Sequence, residues 1–203
     1  MHGLWLNGLE TFLLRDRLTS AGYAPQVFRY PSMHATLAEV TAALAERLRA
    51  FDTVHVVGHS LGGVVAYETL VAHADLPPGR AVLMGSPVRG SRAARAVANH
   101  WYGPPMLGPL AMAELARERD CRWSGPRQLG VIAGTRAAGL GRVFADLPRP
   151  NDGTVCLDET ELAGACARVI HEVSHTGMLI SAGVAQSLVQ FLASGKFEAP
   201  AET

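Results

Sequence analysis

The sequence predicts an α/β domain with a largely parallel central sheet. Apolar strand-like runs alternate with amphipathic helical patterns along the 203 residues. In addition, a strand-like run, a glycine turn and a helical run follow one another around Ser60. The length suits one domain with a sizeable core, and the sequence contains no internal repeat, so we expect a single domain over residues 1–203.

Each element is predicted from its local pattern. Strands are placed at short apolar runs, most of which glycine or proline bounds, and helices at apolar residues spaced three or four apart. The spacing of Leu37, Val40, Leu44 and Leu48, for example, predicts an amphipathic helix. The predicted strands are 25–30, 53–57, 80–84, 129–133 and 168–173, and the predicted helices are 10–21, 35–50, 64–74 and 178–192.

The segment 99–126 has a different character. It is too apolar for an ordinary solvated loop, and glycine and proline interrupt it too often for a sheet strand. We expect a small cap or lid of short helices over the active site. The alternative is a plain helical excursion packed on the core.

The strongest motif is Gly58-His59-Ser60-Leu61-Gly62, which matches the G-x-S-x-G nucleophile elbow. It follows the apolar run 54–57 and precedes a helical run, which is the context that this motif requires. The turn is too tight for side chains at Gly58 and Gly62, and it leaves the serine oxygen exposed at the carboxyl edge of the sheet. The backbone N–H of Leu61 can then face a developing oxyanion.

A serine nucleophile needs a histidine to take its proton and an acid to orient that histidine. His175 is the best candidate base because it lies between the last predicted strand and the last helix, whereas His171 lies within the strand. Asp152 is the best candidate acid because it lies in a loop beyond the strand 129–133. Asp146 and Asp158 are alternatives, and Asp152 could also be a simple Asp-Gly turn.

Residues 171–175 also match H-E-x-x-H, a zinc signature in which two histidines one helical turn apart bind the metal. That interpretation needs a helix and a third ligand. The β-branched residues of 169–173 favour a strand, and few ligands remain downstream, so we disfavour a zinc hydrolase.

The composition argues against several other classes of protein. The formal net charge is zero, which argues against a nucleic-acid partner. The three cysteines, Cys121, Cys156 and Cys166, suggest neither a disulfide framework nor a zinc ribbon. The sequence shows no apolar run of membrane-spanning length and no signal-peptide pattern, so we expect a cytoplasmic protein with no integral membrane segment. The sequence leaves the oligomeric state open.

Together these motifs resemble the α/β-hydrolase superfamily, in particular small bacterial lipases and esterases, over roughly residues 2 to 195. The resemblance rests on an oxyanion loop, the elbow, the segment after the next strand, an acid loop and a histidine loop. In this sequence these are His2-Gly3-Leu4, Gly58-His59-Ser60-Leu61-Gly62, Gly85-Ser86-Pro87 with Arg89-Gly90-Ser91, Asn151-Asp152-Gly153-Thr154-Val155 and His175-Thr176-Gly177-Met178-Leu179.

The resemblance implies Ser60 as nucleophile, His175 as general base and Asp152 as its orienting acid. It implies an oxyanion hole from the backbone N–H groups of Leu4 and Leu61, and neither a metal nor an organic cofactor. We expect the substrate pocket to include Trp5, His59, Trp101, Met106, Leu107 and Met178.

The sequence departs from the family in one respect. An apolar strand that precedes the oxyanion loop in the family, and lies beside the nucleophile strand, is missing. Its absence would leave main-chain groups in the core unpaired. We therefore expect the natural protein to begin upstream of Met1, or the chain to be truncated there; a signal peptide could have been lost with the strand.

The predicted function is hydrolysis of carboxylic esters, with a small-molecule or lipid-like substrate and an acyl-enzyme intermediate. A thioesterase or acyltransferase would use the same residues. A non-catalytic hydrolase-fold binding protein is the alternative from another class.

Overall fold

The computed structural model describes residues 1–4, 6–139 and 146–197. Four parallel strands form one sheet in the order in which they occur in the chain: β1 (Val56–His59), β2 (Ala81–Met84), β3 (Leu129–Gly134) and β4 (Ala167–His171). His59 lies opposite Met84, which in turn lies opposite Ile132. The carboxyl ends of β1, β2 and β3 therefore meet at one edge of the sheet.

Helices cover both faces of this sheet. They are α1 (Phe12–Ser20), α2 (Leu37–Arg49), α3 (Leu61–Ala72), α4 (Arg92–Ala98), α5 (Gly103–Glu114) and α6 (Ala182–Ser194). Short 3-10 turns occur at Leu9–Thr11, Leu157–Thr160 and Gly177–Leu179. No helix in the described ranges is long and apolar enough to cross a membrane.

Side chains of β2 alternate between two apolar clusters. Ala81 and Leu83 pack with residues of α2, α3 and α5, whereas Val82 and Met84 pack with residues of α1 and α6. This alternation follows from strand geometry, because successive side chains point to opposite faces of a sheet. The core is therefore divided into two layers on either side of the sheet, which confirms the predicted α/β class.

The predicted strand 25–30 is wrong. This segment is irregular and pairs with no strand. It lines a groove of about 380 Å³ on the outer side of β1. In the described part of the chain no strand pairs with that edge, where the Met1 nitrogen donates to Val57 O at 2.7 Å and Met1 O accepts from His59 N at 3.2 Å.

The segment 99–126 contains α5 and the chain that leads back to the sheet. Leu107 and Trp123 are buried in the cluster that α2 and α3 also form, so part of this segment is packed on the core. Gly108, with φ of 71°, kinks α5 just before Pro109. Trp101, by contrast, is 90% exposed. A lid function for this segment stays a prediction.

Candidate active site

Ser60 occupies a strained turn at the carboxyl end of β1. Its φ of 54° and ψ of −127° make it the one residue other than glycine with a positive φ among those described. Its N–H donates to Met84 O at 2.9 Å, and its carbonyl accepts from Gly63 N at 3.0 Å. Because α3 begins at the next residue, these bonds hold the half-buried serine between the ends of β1 and β2 and the start of that helix.

The glycines around Ser60 allow three close approaches. A Cβ at Gly58 would overlap the main chain of Gly63, and one at Gly63 would overlap the side chain of Ser86. A Cβ at Gly62 would overlap the carbonyl oxygen of His2. The first two contacts bring α3 tightly onto the strand ends, and the third brings the predicted oxyanion segment against the start of α3.

The predicted oxyanion segment passes directly beside the serine. A Cβ on Gly3 would lie 3.1 Å from Ser60 Cβ. Leu4 is half-buried in the turn that follows. Leu61 is the first residue of α3, so its backbone N–H has no acceptor within the helix. The two predicted donors therefore belong to segments that flank Ser60.

His2 and Tyr30 hold the predicted oxyanion segment in place through ring stacking and hydrogen bonds. The two rings stack with centroids 4.4 Å apart, and Tyr30 OH donates to His2 O at 2.8 Å. Tyr30 N donates to His2 Nε2 at 3.3 Å, so Nδ1 carries the ring proton and donates to Gly3 O at 2.9 Å. Burial lowers the pKa of His2, which favours this neutral form.

Asp152 and His175 lie in direct contact. Asp152 is 1% exposed, and its Oδ2 lies 2.7 Å from His175 Nδ1. Its Oδ1 accepts from the backbone N–H groups of Thr154 at 2.9 Å and Val155 at 2.7 Å. Its main-chain oxygen accepts from His175 N at 2.9 Å. One carboxylate oxygen thus holds the acid loop in shape, while the other orients the imidazole with a proton on Nδ1 and a free Nε2.

The acid loop lies over the ends of two central strands. Gly85 directly follows β2, and Gly134 ends β3. A Cβ on Gly85 would lie 3.3 Å from Asp152 Oδ2, and one on Gly134 would lie 3.0 Å from Asp152 Cβ. The carboxylate therefore sits at the edge of the sheet where Ser60 also lies.

The residues that the sequence offered as alternatives to Asp152 and His175 lie in different environments. Asp158 forms an ion pair with Arg92 at 2.7 Å, and Asp146 is exposed. His171 lies in β4, and its Nε2 is 3.0 Å from Ser187 Oγ in α6.

The helix that the H-E-x-x-H motif requires is not formed at 171–175. Within the described ranges no group of three or more His, Cys, Asp or Glu side chains could hold a metal ion.

The predicted pocket residues are scattered. His59, Leu107 and Met178 are buried and offer almost no surface to a bound molecule, while Met106 packs half-buried against the core. Trp101 is exposed, and Trp5 lies outside the described residues. The groove on the outer side of β1 is lined by His59 but by none of the three predicted catalytic residues.

Comparison with known proteins supports the architecture. The model of the family described as the alpha/beta hydrolase family matches residues 1–192. The mature lipase BlEst2 of Bacillus licheniformis is similar with a TM-score of 0.74 at 18% identity, covering 95% of this chain and 89% of that chain. A pyrethroid hydrolase from Sphingobium faniae JZ-2 gives 0.63 at 13% identity, covering 95% of each chain. Comparison with curated proteins found no significant match.

At these identities the structural likeness shows the fold, whereas the family model spans almost the whole chain. The elbow at Ser60, and the loops that carry Asp152 and His175, all lie within the matched residues. The chain therefore belongs to the alpha/beta hydrolase family.

Proposed function

We propose that this protein hydrolyses carboxylic esters, with Ser60 as nucleophile, His175 as general base and Asp152 as orienting acid. The observation that carries the proposal is the 2.7 Å contact between Asp152 Oδ2 and His175 Nδ1, made at the same sheet edge as the strained Ser60 turn. A buried carboxylate that orients an imidazole beside a serine hydroxyl is the arrangement that activates a serine.

In the acylation step, Ser60 Oγ attacks the ester carbonyl carbon and its proton passes to His175 Nε2. The carbonyl electron pair moves onto oxygen, and the resulting oxyanion accepts hydrogen bonds from the N–H groups of Leu4 and Leu61. Asp152 stabilises the imidazolium. The intermediate collapses, the bond to the alcohol oxygen breaks, and that oxygen takes the proton from Nε2.

Deacylation repeats these steps with water. His175 Nε2 takes a proton from water, and the hydroxide oxygen attacks the acyl carbon. The bond to Ser60 Oγ then breaks, the serine regains its proton, and the carboxylic acid leaves.

The substrate class rests on two observations. Similar folds occur in proteins described as a lipase and a pyrethroid hydrolase. Leu107 and Trp123 of 99–126 are packed in the core. However, the exposed Trp101 and the half-buried Met106 favour a substrate with an acyl or aromatic group over a sugar or a highly charged molecule. We infer a small-molecule or lipid-like ester. A thioesterase or acyltransferase would differ only in the leaving group or in the acceptor of the acyl group.

The first test is labelling with a fluorophosphonate probe, with the adduct located by mass spectrometry. We expect one adduct per chain on Ser60, its absence in Ser60→Ala, and much slower labelling in Asp152→Asn. Asp158→Asn is the matched control and should label at the wild-type rate. Folded wild-type protein that forms no adduct would contradict the proposal and favour a binding role.

Measurements of substrate turnover identify which of these reactions the protein catalyses. A panel of esters and thioesters with increasing acyl length, with and without an added alcohol, separates esterase, thioesterase and acyltransferase activity. We expect the highest kcat/KM on an oxygen ester with water as acceptor. Hydrolysis of thioesters alone would contradict the proposal while leaving the catalytic residues in place.

A further inference from the structure

His59 contacts the histidine loop although it belongs to the nucleophile elbow. It is the last residue of β1, directly precedes Ser60, and is 2% exposed. Its Nε2 lies 2.9 Å from the main-chain oxygen of His175, and the two rings have centroids 4.7 Å apart. A carbonyl oxygen can only accept, so the proton is on Nε2 and His59 is the donor.

This bond differs from the other restraints on His175. The N–H of His175 and its Nδ1 both bond to Asp152, so these two restraints tie the histidine to the acid loop. The bond from His59 to the His175 carbonyl ties it to the elbow that carries Ser60. Through this bond, the loop of the general base is attached to the strand end that precedes the nucleophile.

Packing alone does not explain a histidine at this position. His59 Nδ1 is buried and makes no hydrogen bond within the described part of the chain. An unpaired buried acceptor is destabilising, and an apolar side chain of similar size would avoid it. The side chain therefore carries a cost that the bond to His175 offsets.

The charge state of His59 also suits a fixed donor. Burial, and then the nearby His175, lower the pKa of His59 to about 3. His59 is consequently neutral near neutral pH. It adds no positive charge beside the His175 ring when that ring takes up the serine proton.

We propose that His59 is a positioning residue that holds the His175 loop in register with Ser60. It moves no proton and touches no substrate; it fixes the main chain from which the base projects. This inference rests on the proposed function, because positioning of the base is measurable only if Ser60 and His175 act together.

The test compares His59→Phe, which keeps a ring but removes the donor, with His59→Gln, which keeps an N–H donor. Steady-state kinetics on an active ester, and the rate of fluorophosphonate labelling, are measured on protein shown to be folded by circular dichroism. We expect His59→Phe to lower kcat and the labelling rate about 10-fold or more, with KM within about 2-fold. His59→Gln should recover most of both rates. His59→Leu repeats the donor-free test with a smaller side chain.

The outcomes separate the two proposals. Wild-type protein that neither labels nor turns over ester overturns the proposed function, and the positioning role with it. Active wild-type protein with an equally active His59→Phe variant overturns the positioning role alone. It is also overturned if His59→Gln is as slow as His59→Phe, because a restored N–H donor would then fail to restore the rate.

Discussion

Acid should destabilise this protein through His59. Histidine in an unfolded chain has a pKa near 6.5, whereas burial lowers the pKa of folded His59 to about 3. Between these values the unfolded state binds one more proton than the folded state. The free energy of unfolding therefore falls as the pH drops below about 6.5. The stability that depends on neutral His59 is fully present above that pH and is lost as the pH falls toward the folded pKa.

As long as the pH stays above the folded pKa, the size of the effect follows from how far the pH lies below the unfolded pKa. At about pH 5 the solution is about 1.5 units below the unfolded pKa and still above the folded one. At roughly 1.36 kcal/mol per unit, His59 then lowers the free energy of unfolding by about 2 kcal/mol relative to about pH 7.5. Burial also lowers the pKa of His2 and of His171, so both act in the same direction.

Urea titration at a series of pH values measures this quantity. We expect the wild-type free energy of unfolding to fall by about 2 kcal/mol more than that of His59→Gln between about pH 7.5 and about pH 5. His34→Gln, at an exposed histidine, is the control and should track the wild type. Parallel curves for wild type and His59→Gln would refute the argument, because His59 would then be protonated equally in both states.

Three further substitutions test two contacts of the oxyanion segment and one buried ion pair elsewhere in the fold. Gly62→Ala places a methyl group against the His2 carbonyl oxygen, so kcat should fall about 10-fold or more while far-UV circular dichroism is unchanged; unchanged kcat would show that this segment moves freely. Tyr30→Phe removes the donor to the same oxygen and should lower the free energy of unfolding by about 1 kcal/mol in urea; no loss would mean that another donor replaces it. Arg119→Met leaves the carboxylate of Glu114, whose side chain is 4% exposed, without its closest cation, so the free energy of unfolding should fall by about 3 kcal/mol. A second change, Glu114→Gln, should restore most of this loss. An equally unstable double variant would contradict that reasoning.

The general plan of the fold could be predicted because it depends on local patterns. Apolar runs of strand length place the two inner strands, β2 and β3, within one residue and β4 within two, whereas β1 begins three residues later than predicted. The order of elements implies parallel pairing. Asp152 and His175 could be brought to one edge by the same reasoning, since both follow strands of a parallel sheet. The structure places them in contact, while their catalytic roles remain proposals.

Two errors have definite physical causes. Residues 25–30 have the composition of a strand, but a strand exists only where a neighbour pairs with it, and none does in the described part of the chain. The predicted helix after the elbow begins at Val64 because Gly62 and Gly63 are poor helix formers, whereas α3 begins at Leu61. The close approach of α3 to Ser86 and to the His2 carbonyl makes glycine necessary there, so packing overrides propensity.

The supporting contacts of the site had no sequence signal. Tyr30 bonds to His2 across 28 positions, and His59 bonds to His175 across 116. Each is a side chain that bonds to a distant main-chain oxygen, and no spacing rule predicts such a pair. Trp101 illustrates the same limit: its large apolar side chain suggested a pocket, whereas its surroundings in the fold leave it exposed.

The site is held together mainly by bonds to main-chain atoms. Met84 O fixes the Ser60 turn, Asp152 O fixes the His175 loop, and the His175 carbonyl receives the His59 donor. Substitutions that preserve the main chain should therefore leave the arrangement intact even where they abolish chemistry, as in Ser60→Ala. Substitutions that displace the main chain, such as a methyl group at Gly62, should impair catalysis while every catalytic side chain is still present, because the segment that leads to Leu4 would shift relative to the Ser60 turn.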